Sequence, residues 1–525
     1  MIQLRHQQRS VWEGLFAEEV AELWEPWMRV VDELLEDEEL VDAVYDAQGK
    51  RHPQSRFRGR QQTPAEVALR MLILKHVRNW SYETLEREVR ANVVYRSFCR
   101  IGMEKVPDAK TLVRLGQAIG AETVRELHDR IVALARQRHI IQGRKMRVDT
   151  TVVESNIHYP TDSGLLNDGA RVLTRTMKKI EQKAGGLKRK VRDRMRSVTK
   201  RVIAIGQALR HKGTEGELKR KQEYRQLLRL TRQILNDSRR VLQEADALPT
   251  HRRRRVRGLG ERLEAMADQV RAVVRQTKAR VFAGLTQFPD KLVSLFEPHT
   301  EIIRKGKAGK PNEFGKLVEL QEAENQIITH FEVYEERPSD RYLLLAAVEA
   351  HRRKLGRVPG WVAADAGFYS RANEEAAQTL GVKYVSIPNR STRSEDRRRW
   401  EKQRWFKQGQ KWRTGCEGRI SVVKRRHGLT RSRYHGLHGM RRWEHRPVSG
   451  TTACVSSTDG RPSSPEGKRA GNSLNQIREN RLCLCMSFSG SAILHRKVAR
   501  GRALSYRRSV SSSFGKSHRK DLTRC

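Results

Sequence analysis

The stretch KMRVDTTVVE, residues 145–154, decides how this chain folds, because the spacing of its apolar residues changes there. Apolar residues upstream recur at helical intervals, whereas here β-branched residues alternate with polar ones, which predicts a strand. WVAADAG, residues 361–367, predicts a buried strand that ends in an acid and a turn. With further strand signals at 316–320, 327–333 and 383–388, and helical ones at 341–355 and 371–380, the sequence predicts a mixed α/β domain.

The sequence before this strand, residues 1–140, predicts an all-helical N-terminal domain. Thr63, Pro64 and Glu66 have the pattern of a capping box with proline at the first helical position. Ser81 is placed to cap a second helix, and a third is expected to begin near Asp108. Short helices rich in arginine are typical of a helix-turn-helix module, but also of an ordinary small helical bundle, and the pattern alone does not choose.

A long basic segment interrupts the α/β domain. Leu227, Ile234 and Val241 recur every seven residues, which predicts coiled-coil-like packing of two or more long antiparallel helices. We therefore expect a helical insertion at 171–310, with 141–170 and 311–443 as the two parts of the α/β domain. The insertion is interpreted as an arm that clamps DNA or dimerises, or as a solvated helical hairpin.

The composition points to a polyanionic partner. A formal net charge of +45 over 525 residues favours nucleic acid over a merely solvated basic surface. No apolar run approaches the roughly 18–20 residues of a membrane span, and the N-terminus lacks the apolar core of a signal peptide. Six scattered cysteines predict neither a disulfide framework nor a zinc site and favour a reducing cytoplasm.

Three acids are candidates for chemistry on DNA. Cutting and joining strands requires an attacking oxygen and a stabilised leaving 3′ oxygen, and two divalent metals about 4 Å apart supply both. Mg²⁺ prefers carboxylate oxygens. Asp149 and Asp365 each follow an apolar strand residue, although a single acid there can also be a cap or turn residue. Glu417 shares a predicted helix face with Ile420, and read alone it is an incidental surface acid.

The order of four sequence blocks resembles that of bacterial insertion-sequence DDE transposases of the InsH-like and ISNCY-like kind. The similarity covers roughly residues 60 to 443. The blocks are residues 63–102, residues 149–151 with 156–163, residues 365–369, and a signature formed by Arg413, Glu417 and Lys424. Gln410 stands where that signature has a tyrosine, so the role of the tyrosine does not transfer to this chain.

This resemblance implies an RNase H-like catalytic domain, preceded by a DNA-binding helical domain, with two Mg²⁺ ions, for which Mn²⁺ can substitute. It makes Asp149, Asp365 and Glu417 the catalytic metal ligands, and water or a 3′-hydroxyl the nucleophile. The residues expected to contact DNA are Arg413, Lys424, Arg419, Arg425 and Arg426. His158 and Asp162 are expected to support the metal ligands, although a structural or capping role is the more common one for a histidine such as His158.

The similarity stops at Trp443. Residues 444–525 are rich in Ser, Arg and Gly and contain four of the six cysteines, which predicts a disordered, out-of-frame tail. We therefore expect a transposase that binds the ends of its insertion sequence and performs metal-dependent cleavage and strand transfer. The alternative is a decayed remnant that binds DNA without cutting. A structure-specific nuclease is disfavoured, because it needs no end-recognition module.

The expected partners follow from this function. They are double-stranded DNA, both element ends and target, and a second copy of the chain in a homodimeric synaptic complex. No membrane is expected to take part, and the expected location is the cytoplasm, in association with the nucleoid.

Overall fold

The structure is a computed structural model that describes residues 1–5, 18–51, 53–211, 213–307 and 310–443. The predicted out-of-frame tail, 444–525, lies outside these residues, as does the predicted disorder there. Within them, no helix is both long and apolar enough to cross a membrane.

The N-terminal part is helical, as predicted, and six helices share one apolar core. That core includes Met28, Met71, Leu85 and Phe98. Ser81 caps its helix by accepting a hydrogen bond from the Thr84 amide, and Asp108 does the same for Thr111, so both predicted helix starts are confirmed. The helices are α1 (Pro26–Leu34), α2 (Glu38–Arg51), α3 (Ala65–Val77), α4 (Tyr82–Ala91), α5 (Val93–Phe98) and α6 (Ala109–Gln137).

The capping box predicted at Thr63 is not formed. Helix α3 begins at Ala65 with Pro64 in the cap position, and no side chain caps it. Glu66 is instead buried and accepts a hydrogen bond from Arg70 at 2.9 Å. The prediction was wrong because a buried guanidinium requires a carboxylate partner, which outweighs one capping bond at the helix end.

Strand β1 is the centre of a six-stranded mixed sheet, which confirms the predicted mixed α/β character. The order is β2–β3–β1–β5–β6, and β4 also pairs with β3. β3 runs antiparallel to β1, β2 and β4, whereas β1, β5 and β6 are parallel. The strands are β1 (Lys145–Glu154), β2 (Glu301–Lys307), β3 (Lys310–Glu322), β4 (Ile328–Val333), β5 (Trp361–Ala363) and β6 (Tyr384–Ser386).

Between β1 and β2 the chain forms four helices with their own apolar core, separate from the sheet. They are α7 (Asp162–Ala184), α8 (Met195–Ala208), α9 (Thr214–Asp246) and α10 (Thr250–Phe282). These bounds differ from the expected 171–310: α7 begins at Asp162, nine residues earlier, where Thr161 caps it, and β2, which begins at Glu301, already belongs to the sheet. Helices α7 and α10 are antiparallel, since Gly169 faces Val270 at one level and Gly185 faces Arg252 near the other end.

Helices cover both faces of the sheet. On one face, Met146 and Val148 of β1 pack with Leu344 and Val348. On the other face, Val153 of β1 packs with buried residues of the C-terminal helix and the segment after it. The helices of this part are α11 (Leu343–Leu355), α12 (Arg371–Thr379), α13 (Glu395–Lys402) and α14 (Arg404–Arg426).

Candidate active site

Asp149 and Asp365 each follow the point where the parallel pairing of β1 with β5 ends. The last pair of that ladder is Arg147 with Ala363, so Asp149 lies two residues further along β1 and Asp365 lies two residues beyond the end of β5. Neighbouring strands are about 4.8 Å apart, and residues two apart point to the same face. Asp149 therefore shares the face of β1 that carries Arg147 and Val153, which α14 covers, and the same register continued past β5 leads to Asp365.

Arg413 of α14 joins two of the three predicted acids. Its guanidinium lies 3.7 Å from an Asp149 carboxylate oxygen and 2.9 Å from a Glu417 oxygen. Asp149 also accepts a hydrogen bond of 2.8 Å from the Thr150 amide. The Glu417 side chain is 61% exposed, so it can change rotamer without unpacking the helix. The structure thus brings Glu417 to the edge of the site but pairs it with a guanidinium.

The helix that carries Glu417 is fixed to β1 by a buried ion pair. Arg147, 4% exposed, pairs with Glu322 of β3, 1% exposed, and donates to the carbonyl oxygen of Trp412 in α14. A carbon added at Gly415 would meet the Arg147 guanidinium, so a larger residue at this crossing would have to displace the ion-paired side chain. Burial raises the pKa of Glu322, and the hydrogen bond from Arg147 opposes that rise.

A buried thiol also lies within this site. Cys416 is adjacent to Glu417 in the sequence and is buried beneath α14. Burial raises the pKa of this thiol well above its usual value, and the nearby charges of Glu322 and Asp149 add to the rise. Cys416 therefore remains a neutral thiol at physiological pH and is not available as a thiolate ligand.

Asp340 is an acid of this site that the sequence analysis missed. A carbon added at Gly367 would lie 3.0 Å from an Asp340 carboxylate oxygen and 3.1 Å from an Asp365 oxygen, so both carboxylates border one small volume. The other Asp340 oxygen lies 3.3 Å from the Thr150 hydroxyl. Its position just before α11 is typical of a helix cap, and only the folded sheet places it beside Asp365.

Asp365 itself makes a local contact that a cap or turn residue would make. Its carboxylate accepts a hydrogen bond of 2.9 Å from the Gly367 amide at the start of the short 3₁₀ turn Ala366–Phe368. This bond uses one carboxylate oxygen and orients the side chain at the strand end. Asp365 can therefore stabilise the turn and still offer its other carboxylate oxygen to a metal ion, as predicted.

The residues predicted to contact DNA differ in their contacts within the protein. Lys424 donates a 2.8 Å hydrogen bond to the Val152 carbonyl oxygen of β1, and Arg419 donates to the Gln326 side chain. Arg425 and Arg426 are exposed at the end of α14. The first two side chains thus hold α14 against the sheet, and the other two lie at its exposed C-terminal end.

The two predicted supporting residues lie before or at the start of the insertion. Asp162 is only 2% exposed, and its carboxylate is bound by Gln276 and Arg280 of α10, each at 3.3 Å. Those contacts hold the foot of the insertion together. His158 is exposed in the segment that leads into α7.

The carboxylate oxygens suit a hard divalent cation, but the third ligand is not in position. Among the residues that the structure describes, no group of three or more His, Cys, Asp or Glu side chains is arranged to hold a metal ion. Asp149 and Asp365 follow the paired ends of β1 and β5, whereas Glu417 is bound by Arg413. The donor chemistry fits a divalent metal, and the positions fit only in part.

Comparison with known protein families gives two matches. Residues 24–117 match the family described as a transposase domain (DUF772), and residues 296–443 match the family described as a transposase DDE domain. The second range contains Asp365 and Glu417, whereas Asp149 lies outside both ranges. No curated protein and no solved structure matches the chain. A DDE domain implies an RNase H-like fold, with which the helical N-terminal part and the mixed sheet are consistent.

Proposed function

Since the chain carries both of these domains and so is related to the insertion-sequence DDE transposases, we propose that it binds the ends of its own insertion sequence and cleaves and joins DNA there with divalent metal. Two copies of the chain would hold the two ends in a homodimeric synaptic complex. The helical N-terminal domain would recognise the ends, and the α/β domain would perform the chemistry.

The observation that carries this proposal is the register of β1 and β5. Its last pair is Arg147 with Ala363, and this supports the proposal because Asp149 and Asp365 both follow that pair two residues later. Two carboxylates that converge at the end of buried strands repel each other unless a cation lies between them. In the structure the Arg413 guanidinium supplies part of that positive charge to Asp149.

We assign the roles as follows. Asp149 and Asp365 would hold Mg²⁺ or Mn²⁺, and Glu417 would join them once its side chain leaves Arg413. When bound, the metal supplies activation of the attacking oxygen and stabilisation of the leaving 3′ oxygen. Arg413, released from Glu417, has the planar fork that binds a phosphate through two hydrogen bonds. Arg425 and Arg426, exposed at the end of α14, would contact neighbouring phosphates.

The second candidate is a decayed transposase remnant that binds DNA without cutting. One observation favours it: Glu417 is paired with Arg413, and the described part of the chain holds no ready three-acid metal group. Charge does not distinguish the two candidate functions, because both use the same basic surfaces. A DNA cleavage assay distinguishes them.

The test uses purified full-length chain, labelled DNA that carries the ends of its element, and Mg²⁺ or Mn²⁺. The parent is compared with Asp365→Asn and with Asp396→Asn, a matched change at a side chain that is 89% exposed in the same domain. Cleavage by the parent and Asp396→Asn, but not by Asp365→Asn, supports the transposase. Binding without cleavage in all three supports the remnant. If none of the three binds the element ends, both candidates are overturned.

A further inference from the structure

The far end of the helical insertion carries a concentrated positive charge. Three segments meet there: the end of α7, the loop at 185–194 and the start of α10. A carbon added at Gly185 would lie 3.9 Å from Arg252, and the Lys188 amide donates to Glu244 of α9 at 2.9 Å. We name this surface the basic tip, and its members are all exposed: Lys183, Lys188, Arg189, Lys190, Arg192, Arg252, Arg253, Arg254 and Arg255.

The side chains of the basic tip have no acid partners among the residues that the structure describes. In the described part of the insertion, none of these nine side chains forms an ion pair, and Arg253 donates only to the Asp246 carbonyl oxygen, at 3.4 Å. Arginines nearer the middle of the insertion are paired, for example Arg201 with Glu223 at 2.9 Å. Exposed arginines without an ion pair also occur along α9, and the tip is distinguished by the grouping of nine such cations within residues 183–192 and 252–255.

The start of α10 has the wrong charge for helix stability. The N-terminal end of a helix carries the positive pole of the helix dipole, so cations are unfavourable there. The first turn of helix α10, which begins at Thr250, nevertheless contains His251, Arg252 and Arg253 and no acid, and no side chain caps it at Pro249. Helix α9 in the same bundle begins with Glu215 and Glu217, as the dipole favours. An external anion would relieve both the dipole and the mutual repulsion of the tip.

We propose that the basic tip binds the phosphate backbone of double-stranded DNA outside the segment held by the α/β domain. The proposal rests on the proposed function, which makes DNA the partner. From Gln276, bonded to Asp162 at the foot of the insertion, to Arg252 at the tip, α10 extends about 36 Å at 1.5 Å per residue. One turn of DNA spans about 34–36 Å, so the tip reaches roughly one further turn of duplex.

Phosphate contacts of this kind carry no direct sequence information. The basic tip should therefore hold flanking or target DNA whatever its sequence, while recognition of the element ends stays with other parts of the chain. Each phosphate neutralised releases counterions, and the affinity then falls more steeply with salt, by a slope of about 0.9 per contact. A change in the salt dependence of DNA affinity therefore identifies phosphate contacts made by the basic tip.

The test compares two triple variants with the same charge change. The first, R252Q/R254Q/R255Q, neutralises the tip but keeps Arg253, which binds the Asp246 carbonyl oxygen. The control, R229Q/R232Q/R239Q, neutralises exposed arginines along α9 in the same insertion. Both are made in full-length Asp365→Asn chain so that bound DNA stays intact. Affinity is measured over a salt series on two duplexes with the same end, about 12 and about 40 base pairs long, which fall below and beyond the reach of the tip.

We expect Asp365→Asn chain with an intact tip to bind the longer duplex more tightly and with a steeper salt slope. The tip variant should lose that advantage, with a slope lower by roughly two to three units, while the control keeps it. The melting temperature of the tip variant should not fall, because the substitution removes repulsion.

Three results would overturn the proposal. The first is an equal slope in the tip variant and the intact chain, the second is an equal loss in the control, and the third is no gain from the longer duplex. Loss of self-association with unchanged DNA binding would assign the tip to dimerisation instead. A failure of the proposed function is detected in a separate assay, in which the unsubstituted chain would not cleave DNA that carries the element ends.

Discussion

Arg147→Met removes one partner of the buried ion pair that ties α14 to the sheet. The Arg147 guanidinium contacts Glu322, the Trp412 carbonyl oxygen and the Trp412 ring, whose centre lies 4.9 Å away. Methionine keeps much of the side-chain volume but leaves the Glu322 carboxylate buried without its partner. The change therefore separates the electrostatic contribution of the pair from its packing.

The expected loss follows from burial. Both side chains are at most 4% exposed, and removing one partner of such a pair costs about 3–5 kcal/mol. For a domain of this size that corresponds to a fall in the melting temperature of roughly 10 °C. The double variant Arg147→Met with Glu322→Leu removes the stranded charge as well and should regain most of the stability.

The assay is thermal unfolding of full-length chain followed by circular dichroism. The control is Arg257→Met, which breaks an ion pair whose side chains are 79% and 65% exposed and should cost less than about 1 kcal/mol. DNA cleavage by the double variant should stay low even when its stability is restored, because α14 loses its hydrogen-bonded tie to β1. A melting temperature of Arg147→Met equal to that of the parent would refute this reasoning.

Three further predictions test the site and its supports. Asp340→Asn should lower end cleavage by roughly 10–100-fold with unchanged DNA affinity, because it removes a carboxylate beside the second predicted acid; wild-type cleavage rates would contradict this. Gly315→Ala should destabilise the sheet by about 1–3 kcal/mol, since the added carbon would lie 1.9 Å from the Val153 carbonyl oxygen; Gly206→Ala, with no atom within 4 Å, is the control in the same melting experiment. Burial, helped by a neighbouring arginine, lowers the pKa of His427 to about 4, so the unfolded chain binds the proton more tightly. The free energy of unfolding should therefore fall by up to about 3 kcal/mol as the pH drops from 6.5 to about 4. In His427→Gln, the free energy of unfolding should depend less on pH over that range.

Features that depend on local sequence could be predicted. The alternation in residues 145–154 gave β1, and the side chains of Ser81 and Asp108 marked two helix starts, because a cap bonds to an amide only three residues away. The apolar run before Asp365 likewise predicted a strand, and β5 ends at Ala363, two residues before that acid. Each of these signals is complete within about ten residues.

Features that depend on distant contacts could not be predicted. The position of Asp340 in the sequence is typical of a helix cap. Only the pairing of β1 with β5 and the turn at Gly367 bring it beside Asp365. The insertion is a four-helix bundle, yet the heptad spacing on α9 shows an apolar face without showing how many helices cover it. The pairing of Arg413 with Asp149 and Glu417 is likewise a tertiary contact between a helix and a strand far apart in the sequence.

The central claim is that Asp149 and Asp365 jointly hold a divalent cation. The direct measurement is Mn²⁺ binding, followed by electron paramagnetic resonance, to full-length chain in complex with its element ends. The parent, Asp149→Asn, Asp365→Asn and the exposed control Asp396→Asn are titrated side by side. The account predicts that each of the two site variants weakens Mn²⁺ binding by roughly 10-fold or more, while the control matches the parent. Equal Mn²⁺ affinity in all four proteins would contradict it.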